Sequence, residues 1–149
     1  MIQMYEITVT PRFGDIDGLK HVNNNKIVDW FELARNDIFR FFTPNLSLED
    51  EDWKLILVHN EANFVNQTRF GKEVTILSYI LRVGKTSFTT GEEAWQDGEL
   101  KATGKSVTVY YDWVNDESMN IPEDIKEKLN QHLIKEEDIG KHVPSMKVQ

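Results

Sequence analysis

Apolar and polar residues alternate from Tyr5 to Phe13, the two-residue period of a half-buried strand. The alternation stops at Gly14, Asp15, Asp17 and Gly18, a loop crowded with turn-formers. Beyond it Ile27, Trp30, Phe31, Ala34, Ile38 and Phe41 recur at helical spacing, with Asp29, Glu32, Asn36 and Arg40 on the wetter face. The spacing predicts one long helix, capped at its start by Asn23, Asn24 or Asn25 and ended by Thr43-Pro44-Asn45, because proline disfavours helical geometry in the residue before it. The acidic stretch Glu49 to Asp52 reads as an exposed connection.

Leu55-Ile56-Leu57-Val58 opens an extended segment that reaches Phe64 and Val65, and Gly71-Lys72 reads as a turn. Strands over 74–83, 86–96 and 100–111 follow, joined at Gly84-Lys85 and Asp97-Gly98. Asp-Gly is a strong hairpin signal, since both central positions of that turn need positive φ. Pro122 suits the first turn of a C-terminal helix in which Ile125, Leu129 and Leu133 share a face; the tail from Lys141 to Gln149 has no readable pattern. One strand, one long helix, an antiparallel meander and a short helix make an α+β plan in one domain, 1–149, with the tail from about 141 unassigned. A helix this apolar must be covered, so the sheet is expected to curl around it.

Charge and composition narrow the chemistry. A formal net charge of −8 without a Lys/Arg cluster argues against binding a phosphate backbone, so no nucleic-acid partner is expected. The absence of cysteine excludes thiol nucleophiles, disulfides and cysteine-held zinc. Met1-Ile2-Gln3-Met4-Tyr5-Glu6 lacks the features of a secretory leader, and no run of about 18 uncharged apolar residues occurs, so no membrane partner and a cytoplasmic location are the default expectations.

Phe13-Gly14-Asp15-Ile16-Asp17-Gly18-Leu19-Lys20-His21-Val22-Asn23-Asn24, followed by Trp30-Phe31-Glu32-Leu33-Ala34-Arg35, resembles the signature of hot-dog-fold acyl-CoA thioesterases of the hydroxybenzoyl-CoA thioesterase-like family. That signature runs aromatic-x-Asp-x-Asp, a Gly-His-Val-Asn-Asn-like turn, then an aromatic-Glu-x-Ala-Arg helix. The likeness continues through Phe64 to Val74 and Gly84-Lys85-Thr86-Ser87-Phe88 and reaches Ile121-Pro122, covering about residues 5 to 133. Three positions depart from it. Lys20 replaces a usual Gly, which would alter the loop path; Ile27 replaces a frequent Tyr near the acyl pocket; Asn24 stands where one branch of the family carries a His.

The resemblance implies a hot-dog fold, a curved antiparallel sheet wrapped around one long central helix, and hydrolysis of an acyl thioester to free acid and CoA without metal or cofactor. It implies Asp17 as nucleophile or general base, with the backbone amide of Asn24 polarising the carbonyl. The physics agrees, since the first amides of a helix lack intrahelical acceptors and the macrodipole favours negative charge there. An ordinary Asp, with a pKa of about 3.9, is a feeble base, so the site must raise that value or use the carboxylate as a nucleophile. On the dipeptide pattern alone turn capping is the favoured reading of Asp15 and Asp17, and the surrounding signature reverses it. Asp15 is assigned to fixing the loop. His21 and Asn23 are candidates to bind substrate, Asn23 being also a natural helix cap.

A Ca²⁺ loop is excluded for want of further oxygen ligands, and His59, His132 and His142 show no metal-ligand spacing. Glu32 and Arg35 are expected to pair on the helix. Arg82 with Lys85, or Arg69 with Lys72, are candidates for CoA phosphates, though each suits an ordinary surface. Trp30, Phe31 and Phe64 suit an acyl group or plain core packing. Proteins of this kind pair, so a homodimer or homotetramer is expected, with Asn60, Asn63 or Thr86 of a second copy near the pocket. An acyl-carrier-protein thioesterase and a non-catalytic acyl-binding protein stay open as alternatives; a dehydratase would need a different Asp and His motif.

Overall fold

The computed structural model describes residues 4–49 and 51–144. Residues 1–3, Asp50 of the acidic connection and residues 145–149 of the tail lie outside them. Among the described residues six strands occur, β1 (Tyr5–Val9), β2 (Leu55–Phe64), β3 (Val74–Val83), β4 (Ser87–Gln96), β5 (Glu99–Asp112) and β6 (Glu117–Ser118). Three helices accompany them, α1 (Asn24–Ala34), α2 (Asn36–Phe39) and α3 (Glu123–Asn130), with single 3₁₀ turns at Phe13–Asp15 and Glu136–Asp138.

The sheet runs β1-β3-β4-β5-β2, antiparallel throughout, with β6 beside β5. Two hairpins have clear chemical causes. Asp97 and Gly98 both take positive φ, 56° and 71°, as the β4–β5 turn requires. At the other end Gly84 N–H donates to Ser87 O at 2.7 Å, closing β3 on β4. β2 does not continue this meander. Its chain leaves through residues 65–73, crosses to β3, and β2 itself pairs with β5, so the expected turn at Gly71-Lys72 belongs to a crossover rather than a hairpin.

The helix predicted over one long span bends instead at Arg35. Its N–H is shared between Phe31 O and Glu32 O at 3.2 Å each, and tighter bonding carries the chain into α2. The apolar stripe faces the sheet as its spacing dictates. Ile27, Trp30, Phe31 and Ala34 pack on Val74, Ile76, Ala94 and Ala102, while Ile38 joins Leu55, Ile80, Phe88, Ile121 and Leu129 in a second cluster. The sheet curls around this stripe. Small residues make the approach possible: a Cβ on Gly104 would lie 2.7 Å from the Phe31 ring.

Two further expectations are corrected. Leu133 is not on the α3 face; it lies past the helix end, exposed, where a parallel bridge joins it to Ile80 at the edge of β3. Glu32 and Arg35 do not pair. Glu32 is exposed, and the fully buried Arg35 reaches across the core to Glu92 of β4, Nη1 to Oε1 at 3.2 Å. Burial pushes the Glu92 pKa up, against the guanidinium and the Thr90 hydroxyl, and the site is tied further by Thr90 Oγ1 to Ser106 Oγ at 2.5 Å. This polar layer separates the two apolar clusters and fixes the helix lengthwise on β4.

Candidate active site

The loop between β1 and α1 is a small hairpin closed by a bridge between Ile16 and Val22. Asp17 N–H donates to His21 O at 2.9 Å, and Lys20 N–H donates to Asp17 O at 3.0 Å. The Asp17 side chain completes the turn: Oδ1 accepts from Leu19 N–H at 2.9 Å and from His21 N–H at 3.4 Å. Both bonds fall on Oδ1 of the half-buried carboxylate.

Lys20 was expected to redirect this loop by replacing a glycine. Lys20 itself enters the left-handed region, at φ 66°, a conformation that glycine adopts freely. Asp15 is the loop's anchor. It is 2% exposed, its Oδ2 accepts from Arg12 N–H at 2.8 Å, and its carbonyl accepts Asn23 N–H at 2.8 Å. Burial is the largest influence on its carboxyl and pushes the pKa up, but the Arg12 amide and guanidinium with the Lys26 ammonium together hold it below the ordinary carboxylate range.

The Asn23–Asp15 bond delivers the chain into α1. Asn23 is the cap, in extended geometry, with its side chain accepting from Asn25 N–H at 2.9 Å. Lys26 N–H turns back to Asn23 O at 2.9 Å. The amide left over is that of Asn24, the first helical residue, which has no intrahelical acceptor. Asp17, His21, Asn23 and the Asn24 amide thus lie on one segment, between the 3₁₀ turn and the first residue of α1. Ile27, at the position of a frequent Tyr, is buried in the core below. Among the described residues no group of three or more His, Cys, Asp or Glu is placed to hold a metal ion.

Around the loop lie exposed apolar side chains that the helix pattern could not reveal. Phe13 is 86% exposed and meets Phe70 edge to face, ring centroids 6.4 Å apart; Leu19 and Val65 are also exposed. Val22 N–H donates to Thr68 O at 2.9 Å, which ties the Phe70 loop to the Asp17 hairpin. The proposed cations divide. Lys72 is held by Asp97 at 2.7 Å near this end, with Arg69 close to it in sequence, whereas Arg82 and Lys85 belong to the far end of β3. Asn60 and Asn63 lie on the exposed edge strand β2.

The sequence pattern of the thioesterase-like superfamily matches residues 11–129. No curated protein matches the chain in sequence. Among solved structures the chain is similar to a predicted thioesterase from Bacillus stearothermophilus, at 38% identity and a TM-score of 0.84, over 89% of this chain and 98% of that one. It is similar to a thioesterase from Thermus thermophilus complexed with coenzyme A and Zn, at 27% identity and a TM-score of 0.72, over 83% and 95% of the two chains. A Staphylococcus aureus protein in complex with CoA aligns over 100% of this chain and 92% of its own, with a TM-score of 0.77 at 15% identity, a level that speaks for the shared fold alone.

Proposed function

This chain belongs to the thioesterase-like superfamily, and from that premise we propose that it hydrolyses an acyl-CoA at the Asp17 hairpin. It is a thioester hydrolase with the hot-dog fold, a curled antiparallel sheet around a helix. The assignment of residues is supported by a carboxylate anchored through one oxygen on the loop that leads into the first, intrahelically unpaired amide of α1.

Asp17 brings about attack on the thioester carbon by one of two routes. It attacks directly, forming an acyl anhydride and expelling CoA thiolate, or it takes a proton from the water that attacks. In either route the carbonyl oxygen gains negative charge and accepts from Asn24 N–H, where the helix dipole adds to the hydrogen bond. On the first route water then cleaves the anhydride, releasing the acid and restoring the carboxylate; on the second the tetrahedral intermediate collapses to the acid, and the proton held by Asp17 passes to the departing thiolate. His21 and Asn23 flank the carbonyl and orient it. CoA as the thiol carrier is supported by its presence with the Thermus thermophilus thioesterase.

A second copy completes the site in this reading. β2 is a ten-residue edge strand whose outer backbone groups face away from β5, and Leu57, Val58 and Phe64 are exposed along it. Long apolar edges attract further strands, and antiparallel pairing of β2 with its own copy satisfies both edges at once. Such pairing sets the Phe64 end of one copy, beside the Asp17 hairpin, against the Leu55 end of the other.

Release of free thiol from a panel of acyl-CoA and acyl-carrier-protein substrates tests the reading, with Asp17→Asn alongside. Asn keeps the Oδ1 acceptor, so the turn closes, while kcat falls by about 100-fold or more. Turnover of carrier-protein substrates alone would move the assignment to that partner. No thiol from the native protein on either carrier, with acyl ligand bound, would make it a binding protein.

A further inference from the structure

Two arginine–phenylalanine steps, Arg12-Phe13 ahead of the Asp17 hairpin and Arg69-Phe70 in the crossover from β2 to β3, come together at the Asp17 end of the molecule. Their rings meet edge to face at 85°, yet the contact hides little: Phe13 remains 86% exposed and Phe70 54%. Apolar residues scattered singly over a surface are ordinary; a joined pair beside guanidinium groups asks for an occupant.

Neither ring sits on slack chain. Arg12 O accepts Asp15 N–H at 2.9 Å and Arg12 N–H donates to the buried Asp15 carboxylate at 2.8 Å, which fixes the backbone under Phe13. Beneath Phe70 the side chain of Gln96, 3% exposed, grips the crossover. Its Oε1 accepts Arg69 N–H at 2.9 Å, and its Nε2 donates to Arg69 O at 2.8 Å and to Lys72 O at 3.1 Å. A buried amide given to an exposed loop sets that loop's shape in advance, so a ligand meets rings whose backbone is already ordered.

The neighbouring charges are unequally engaged. Lys72 is tied to Asp97, and Arg12 reaches Asp15 through Nη2 at 3.4 Å. Arg69 is exposed and forms no ion pair among the described residues. Two open rings beside such a guanidinium fit a nucleotide, because bases stack on aromatic faces and the guanidinium fork matches phosphate oxygens. They are too small a footprint for a carrier protein, which needs about 1,000 Å² of interface or more.

Resting on the reading of the Asp17 hairpin as the site of acyl-CoA hydrolysis, we infer that Phe13 and Phe70 seat the adenine of the substrate and Arg69 a phosphate of the same nucleotide. The distance suits the molecule. From Asp17 to Phe70 the path runs over two hydrogen-bonded rungs, Asp17 N–H to His21 O and Val22 N–H to Thr68 O, and then two residues of chain. Such a path is about 20 Å at most, and the straight line is shorter. The pantetheine arm of CoA, about twelve bonds long, equals about four extended residues, or about 14 Å. A thioester at Asp17 thus puts the nucleotide of the same molecule within reach of the rings.

Two ratios test this on the native chain, Phe70→Ala and Arg69→Ala. One is KM for an S-acyl pantetheine, which lacks the nucleotide, over KM for the matching acyl-CoA; it is expected to fall about 10-fold in each variant. The other is Kd for CoA in the variant over that in the native protein, by calorimetry, expected to rise about 10-fold, while Phe70→Trp keeps the native value or tightens it. Both side chains are exposed, so thermal midpoints should match the native one. Calorimetry needs no turnover. Native protein that binds CoA, is weakened by both substitutions and releases no thiol sinks the hydrolase reading and leaves the nucleotide seat standing. Thiol release with both ratios unchanged does the reverse. Failure of CoA to bind the native protein overturns the seat, as does a KM raised equally for pantetheine and CoA thioesters, which places the rings against the arm or the acyl group. A loss confined to acyl-carrier-protein substrates also overturns it and makes the surface a protein-docking face.

Discussion

At Lys20 the backbone sits at φ 66°, a conformation that costs a side-chain-bearing residue about 1–2 kcal/mol. Lys20→Gly removes that strain and loses part of the gain to a freer unfolded chain, so a net stabilisation of about 0.5–1 kcal/mol is expected, read as a higher denaturation midpoint at unchanged slope. Asp15 makes a prediction in pH. Its folded pKa is depressed, so its contribution is complete above the unfolded value of about 3.9 and is lost as pH falls through the lower folded value. Asp15→Asn should therefore destabilise at neutral pH, by about 1–3 kcal/mol, and flatten the loss of stability below about pH 4. Stability curves from pH 2 to 7 check both signs. At this scale the sequence was a good guide wherever the cause was local. Asp15 as loop anchor and Asn23 as cap follow from turn and cap chemistry. Arg35 was misjudged because the nearest acid in sequence, Glu32, lies on the wet face, whereas Glu92 is brought beneath the helix only by the sheet.

Among the elements, the seating of α1 on β5 depends on the missing side chain of Gly104. A Cβ there would stand 2.7 Å from Phe31 Cδ2 and 3.0 Å from Glu92 Oε2, with no flexible side-chain end to yield on the ring side. Gly104→Ala is expected to cost about 1–3 kcal/mol, seen as a lower thermal midpoint. Because Phe31 sits on the helix that begins at Asn24, kcat should fall in the same variant by more than KM changes. The strands were legible because Asp97-Gly98 and Gly84-Lys85 mark their own turns, and 74–83 was placed to the residue. Their order was not. Nothing local in 65–73 says that the chain crosses the sheet, and the i, i+4 rule carried Leu133 onto a helix that ends at Asn130.

The whole molecule combines one candidate working end, an uncovered strand edge and a covered sheet face. Exposed Phe13, Leu19 and Phe70 surround the Asp17 hairpin, the β2 edge is uncovered, and the face behind the sheet is sealed by the chain itself. A charge of −8 sets a net repulsion between copies. The α+β plan and the curled sheet could be anticipated from pattern alone, since an apolar helix needs cover; the course of the chain past α3 could not, because its bonds come from backbone amides and one buried Glu in a strand. Among the described residues no helix is long and apolar enough to cross a membrane. The central claim remains the chemistry of the loop, and it comes down to one ratio: kcat for thiol release by the native protein over that of Asp17→Asn, on the same acyl-CoA, with both proteins folded to the same midpoint. The account predicts about 100 or more; a ratio near one would contradict it.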